Sequence, residues 1–336
     1  MKNINMRQWM QNIISNKQSV ALPIMTNPGI EIIGKRIIDA VTDGRTHADA
    51  IIALNSKYPS AASTVIMDLT VEAEAFGCKI SFDDNEVPTV SERLLTSAED
   101  IEKLTVPSLN VGRVQEYIKA NQLAAEGITD KPLLSGMIGP YSLAGRLYDM
   151  SEIMMLLYID PDAANKLLQK CTDFIIEYGK ALKATGANGI MLAEPAAGLM
   201  SNDDCKQFSS VYVKQIVDAL QDDSFAIILH NCGNKGHCTE AMLATGAMSY
   251  HFGNAINMLE AMKELPADVI GMGNLDPVGV FKMGTPESIG RDTYSLLEKL
   301  ADYPNFVISS GCDTPPEVSF ANIDAFYDAV ECFNNR

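Results

Sequence analysis

An apolar run, "FAIILHNC" at 225–232, ends in His230, one spacer and Cys232. On a strand, residues i and i+2 face the same way, so the imidazole and the thiol can address one point. A second thiol, Cys312, ends another apolar run, "FVISSGC" at 306–312. Two thiolates and one imidazole make a three-ligand zinc set with an open fourth position, the pattern of a catalytic rather than a structural zinc. Two thiolates neutralise the charge of Zn²⁺. A thiol entering the fourth position would lose its proton at neutral pH, although a free thiol has a pKa of ~8.5, and would stay nucleophilic. Water-activating zinc sites draw more on His and carboxylates. The chemistry implied is alkyl transfer to sulfur. Two blander assignments stand beside it. Buried cysteines are common small hydrophobes, and His230, Cys232, His237 and Cys238 within "HNCGNKGHC" could close a local four-ligand structural site.

Other ionisable or polar groups end apolar runs in the same way: Asp68, Glu194, His251 and Asn274. Glu194 reads as a proton acceptor, as a displaceable zinc ligand, or as a carboxylate capping the helix that follows. Asp68 carries the same ambiguity. His251 suits a place behind a ligand or in a pocket, and Asn274 sits in the turn-forming "GNLDPVG".

These residues need a scaffold that brings strand ends together. Eight apolar or β-branched runs serve: 20–24, 63–68, 132–139, 189–195, 225–232, 247–252, 269–275 and 306–312. Helical patterns such as "DAANKLLQKCTDFIIEYGKALKATG" and "PESIGRDTYSLLEKLAD" alternate with them. Continuous apolarity suits parallel strands buried on both faces. The expectation is an α/β fold, a single (β/α)8 TIM-type barrel over 1–336 with chemistry at the carboxyl ends of its strands. The stretch 81–131 is too long for a simple connection and reads as an insertion after the second strand, capping the barrel. The N-terminal "MKNINMRQWMQNIISNK" reads as an amphipathic helix with Met6, Trp9, Met10 and Ile13 on one side.

The net charge of −17 argues against nucleic acid or an anionic membrane as partner, because both need a positive footprint. The N-terminus lacks a signal-peptide core and no apolar stretch is long enough to span a bilayer, so a cytoplasmic protein is expected. Seven cysteines, an odd number, favour thiol chemistry over a disulfide framework. The chain carries neither a G-x-x-x-x-G-K-[ST] motif nor a usable dinucleotide fingerprint.

The segments "LHNCGN", "MGNLDPVGVF" and "SGCDTPPEVSFANIDAF" resemble the uroporphyrinogen decarboxylase superfamily. More narrowly, they resemble its zinc-dependent branch, the methylcobamide:coenzyme M methyltransferases. "DLTVEAEAFGCKI", "GMIGPYSLAGRLYD" and "GIMLAEPAAGLMSNDDCKQF" extend the likeness over most of the chain. The resemblance implies a TIM barrel and zinc ligands at His230, Cys232 and Cys312. It also implies methyl transfer from a methylated corrinoid, presented by a corrinoid protein, to a small thiol. It puts Arg146 where the decarboxylases keep a pocket Tyr, and Asp68 where they keep a catalytic Asp. Glu194 and Asp68 are expected to serve catalysis, and His251, Asn274 and Arg146 cofactor binding. The Arg-rich N-terminal motif of the decarboxylases is absent, the chain reading "PIMTNPGIEIIG" there. Two alternatives stay open: a decarboxylase-like lyase, and a non-catalytic corrinoid- or thiol-binding protein.

Overall fold

The computed structural model describes residues 4–336. Seven parallel strands form one curled sheet in the order β1-β4-β5-β6-β7-β8-β9. They are β1 (Ser63–Thr64), β4 (Leu133–Ile138), β5 (Gly189–Ala193), β6 (Ala226–Asn231), β7 (Ser249–Phe252), β8 (Ile270–Leu275) and β9 (Phe306–Ser310). A short antiparallel ribbon, β2 (Ile80–Ser81) with β3 (Thr89–Val90), stands apart from the sheet. Every one of the seven strands falls inside an expected apolar run. β4, β5, β6, β7 and β9 are buried on both faces almost throughout, which is why their sequences show continuous apolarity instead of alternation.

The run at 20–24 forms no strand of its own, only a parallel bridge from Ala21 to Ile308 of β9. Ile308 N donates to Val20 O at 3.0 Å, Leu22 N donates to Ile308 O at 2.9 Å, and Ala61 N, just ahead of β1, donates to Ala21 O at 2.9 Å. The next N–H facing β9, that of Ile24, donates to Ser310 Oγ at 3.1 Å instead of to a main-chain carbonyl, so the ladder stops there.

The N-terminal helix Met6–Ser15 is capped by Asn5, whose side chain accepts from Gln8 N. It buries Met6, Met10 and Ile13, as its spacing predicts, while Trp9 is half-buried. These side chains join Leu134, Met191, Ile228, Met272 and Val307 of five strands in one apolar cluster. The helix is anchored at the amino ends of the strands, where Met6 N donates to Asp223 O at 2.6 Å, so the carboxyl ends remain free to carry polar groups.

Residues between β1 and β4 hold more structure than one expected insertion. Helix Val71–Phe76, the β2–β3 ribbon and helix Ala98–Lys103 come first, the last capped by Ser97. Helix Val114–Gly127 then packs on helix Gly44–Lys57, with Gly44 N donating to Glu116 Oε2 at 2.7 Å.

Candidate active site at the strand ends

His230 is the fifth residue of β6 and Cys232 the first residue beyond that strand. The chain is turned there by Asn231, whose Oδ1 accepts from Gly233 N and Asn234 N, both at 3.0 Å. Asn234 repeats the device, its Oδ1 accepting from Gly236 N at 2.9 Å and Cys238 N at 3.0 Å. Two asparagine side chains thus replace strand pairing in the loop that presents Cys232. Gly253, beyond β7, has to be glycine here, because a Cβ would stand 2.5 Å from Cys232 Cα.

Cys312 comes from the other side, two residues beyond β9. Gly311 N donates to Leu275 O at 2.6 Å. The next residue, Asp313, accepts from Thr26 N at 3.1 Å and from Thr26 Oγ1 at 2.7 Å. Donor atoms of His230, Cys232 and Cys312 all lie within 4.8 Å of one another, as the sequence expects. His230 is buried and the two cysteines are half-buried, which leaves the sulfurs an approach from outside.

The electrostatics of this cluster fit a soft cation. The Cys312 thiol hydrogen-bonds with Cys232. That bond pulls Cys232 below the ordinary thiol range, and together with burial it pushes Cys312 above it. Among the described residues, His230 Nε2 is buried without a hydrogen-bond partner. An orphaned ring nitrogen beside two sulfurs is costly unless something occupies the point they share. A metal ion fits that point by donor type and spacing.

The other expected site residues take different places. His251 is fully buried and pairs in register with His230. Its Nδ1 lies 2.8 Å from His230 Nδ1, and its Nε2 lies 2.8 Å from Ser309 Oγ. It therefore stands behind the His230–Cys232–Cys312 cluster, with both ring nitrogens engaged by protein groups. Asn274 spends its amide on Gly253 O at 2.9 Å and Ile256 O at 2.8 Å, holding the loop after β7.

Glu194 follows β5 and is buried. It caps the helix Pro140–Tyr148, which follows β4, not the turn that comes after it in sequence. Tyr141 N donates to its carboxylate at 2.9 Å and Ser142 N at 2.6 Å. A carboxylate at a helix start is favoured by the free N–H groups. Burial nevertheless pushes its carboxyl up to about 7. Gly139 makes the approach possible, since a Cβ there would meet Glu194 Oε2 at 2.6 Å.

Asp68 is held in an ion pair with Arg113, whose side chain is 8% exposed against 2% for Asp68. Tyr117 Oη donates to Asp68 at 3.1 Å and Thr70 N at 2.9 Å, while Arg113 Nε also reaches Glu74 at 2.7 Å. The structure does not bring Asp68 into the cluster of thiols.

Arg146 ends on a cavity of about 370 Å³, together with Arg93, Ser142, Ile138, Pro195 and Ala196. Ile138 ends β4 and Pro195 lies just beyond β5, so this cavity opens on the same side of the parallel sheet as the thiols. The rival local site does not form. Cys238 Sγ lies 3.4 Å from Met200 O and His237 Nε2 lies 3.1 Å from the same carbonyl, so neither joins the cluster. Sequence reasoning missed Asn231, Ser309, Asp313 and Arg113. The two asparagines of "HNCGN" were the one local signal, as turn-formers flanking a thiol.

A curled parallel sheet with its polar and sulfur groups gathered at the carboxyl ends of the strands defines an α/β protein of the TIM-barrel kind of layout. The chain belongs to the uroporphyrinogen decarboxylase family, whose model, Uroporphyrinogen decarboxylase (URO-D), matches residues 22–333. It is 32% identical over 301 residues to the methylcobamide:CoM methyltransferase MtbA of Methanosarcina mazei, covering 86% of either chain. It is 27% identical to the uroporphyrinogen decarboxylase of Pseudoalteromonas translucida, covering 83% of this chain and 81% of that one. A solved methyltransferase from Methanosarcina mazei shares the fold with a TM-score of 0.87 at 22% identity, covering 98% of this chain and 99% of that one. Among the described residues, no helix is long and apolar enough to cross a membrane.

Proposed function

We propose that the protein is a zinc-dependent methyltransferase that moves a methyl group from a methylated corrinoid, carried by a corrinoid protein, to a small thiol. The observation that carries this reading is the convergence of Cys232, Cys312 and the orphaned His230 ring nitrogen at one point. The likeness to methylcobamide:CoM methyltransferases supports the same donor and acceptor classes. His230, Cys232 and Cys312 would hold zinc, which supplies a Lewis-acid site where a thiol loses its proton at neutral pH. The acceptor sulfur then takes the methyl carbon, the carbon–cobalt bond breaks, and cobalt keeps the electron pair. The half-burial of both cysteines leaves the acceptor a way in, while the buried His230 keeps its side of the cluster dry.

The cavity beside Arg146, about 370 Å³, sits at the low end of the ~300–1,000 Å³ usual for small-molecule sites. It suits the body of a small acceptor better than a corrin ring, which we assign to the open mouth. We assign Glu194 and Asp68 to the framework of the mouth, because both carboxylates are already engaged by fixed donors. The hydrogen bonds of residues 20–22 support reading that segment as the eighth stave of a closed barrel over 1–336, with the β2–β3 ribbon and helix Ala98–Lys103 as an insertion after its second strand.

Thiol binding to the zinc-loaded protein tests the reading. A small thiol acceptor should release close to one proton near pH 7. Binding without proton release, or release undiminished after Cys312→Ala, contradicts it.

A further inference from the structure

The two histidines at the strand ends meet through like atoms. His230 Nδ1 and His251 Nδ1 are 2.8 Å apart. Two lone pairs or two N–H groups at that distance repel, so one shared proton lies between them. A second bond continues the chain, with His251 Nε2 at 2.8 Å from Ser309 Oγ. All three side chains are buried, so water does not substitute for any link.

Only two neutral proton arrangements satisfy this chain. In the first, His230 carries its proton on Nδ1 and donates to His251, and His251 carries its proton on Nε2 and donates to Ser309. The free lone pair of His230 is then on Nε2, the atom with no protein partner. In the second, every donor is reversed, and His230 Nε2 carries a proton that a metal ion would have to displace.

The path of the chain has a further consequence. His230 lies two residues before Cys232 on β6, and Ser309 lies three before Cys312 on β9. His251 on β7 therefore braces the two strands that carry the thiols against each other, across the intervening β8.

We propose that His251 and Ser309 are positioning residues that hold His230 as its Nδ1–H tautomer, aim its Nε2 lone pair at the point shared by Cys232 and Cys312, and fix the spacing of the strands bearing those thiols. This rests on the metal reading above. The relay touches no substrate. Ring nitrogens tied in this way raise ligand basicity and orientation, and losing such a partner costs about 10–100-fold in metal affinity.

The test is zinc affinity by chelator competition, paired with nitrogen NMR of histidine-labelled full-length protein, which reads the tautomer of His230 directly. His251→Leu should weaken zinc by about 10–100-fold and abolish the Nδ1–H signature of His230. His251→Gln, whose amide oxygen can accept from His230 while its N–H points toward Ser309, should recover most of the affinity. Ser309→Ala should fall between. Cys312→Ala should lose tight zinc binding yet keep the Nδ1–H signal, which separates the relay from the metal site. A His251→Leu protein that binds zinc as the wild type does overturns the inference, as does a His230 protonated on Nε2. If wild type takes up no zinc at all, the metal reading falls and this inference falls with it; an Nδ1–H signal in that metal-free protein would show that the failure lies with the metal.

Discussion

Cys232 and Cys312 reach one point from opposite flanks of the β7–β8 pair, their sulfurs joined with His230 in a cluster no wider than 4.8 Å. Ladder pairing ends at Asn231 in the first loop and at Gly311, whose N–H donates to Leu275 O, in the second. Asn231 turns the first, and the Asp313–Thr26 bonds tie down the second. The sulfurs are therefore set by brackets on a rigid sheet, an arrangement that preorganises the donor cluster.

Cysteine replacement should separate this cluster from the neighbouring thiols. Cys312→Ala should reduce zinc content from one equivalent to near none after dialysis, because two remaining donors hold zinc poorly. Cys238→Ala should retain the metal, since its sulfur faces the carbonyls of Ala197 and Met200. Metal analysis of the two purified variants checks both outcomes, and the opposite pattern would move the site to the local loop.

The Asp68–Arg113 pair should matter to stability. Both side chains are almost wholly buried, and Arg113 has Thr70, Glu74 and Val41 O as further partners. Asp68→Ala leaves a buried guanidinium with less compensation, a loss of about 3–5 kcal/mol. Urea unfolding measures it. A change within about 0.5 kcal/mol, typical of exposed positions, would mean the pair is not formed.

Glu72 should make stability fall with rising pH. It is buried, its Oε2 has no partner, and burial pushes its carboxyl up to about 8 from 4.5. The folded state therefore holds the proton more tightly than the unfolded chain. Its contribution is complete below about pH 4.5 and is lost as pH climbs through about 8. Glu72→Gln mimics the protonated form, so its advantage over wild type should grow across that window to about 1–3 kcal/mol. Thermal melts at pH 5 and pH 8.5 read the difference; parallel declines in both proteins would show that Glu72 ionises freely.

The strands and the His230–Cys232–Cys312 cluster were legible because parallel strands buried on both faces leave long apolar runs, and a His or Cys ending such a run is conspicuous. What the sequence withheld depends on which strand ends become neighbours. Glu194 looked like a cap for the turn after it, but sheet order puts it beside the end of β4, under the start of helix Pro140–Tyr148. Asp68 stayed ambiguous between proton acceptor, ligand and cap because its partner, Arg113, arrives from the far end of an irregular stretch. His251 read as a residue behind a ligand or in a pocket, but nothing in its local sequence reveals that its ring meets His230.

Glu194→Gln tests whether that carboxylate is framework or proton acceptor. One amide oxygen must then serve two backbone N–H donors, and the amide nitrogen faces a donor. The framework role predicts a loss of about 1–3 kcal/mol with zinc content unchanged. A protein of wild-type stability that transfers methyl groups about 10²–10⁴-fold more slowly would instead make Glu194 the base.

The most direct measurement follows the cobalt chromophore of methylcobalamin, or of a methylated corrinoid protein, mixed with zinc-loaded protein and a panel of small thiols. The account predicts thiol-dependent loss of the methyl–cobalt spectrum with the matching methyl thioether as product, and no reaction with Cys312→Ala. Intact methyl–cobalt with every thiol, from both the free and the protein-bound corrinoid, would contradict it.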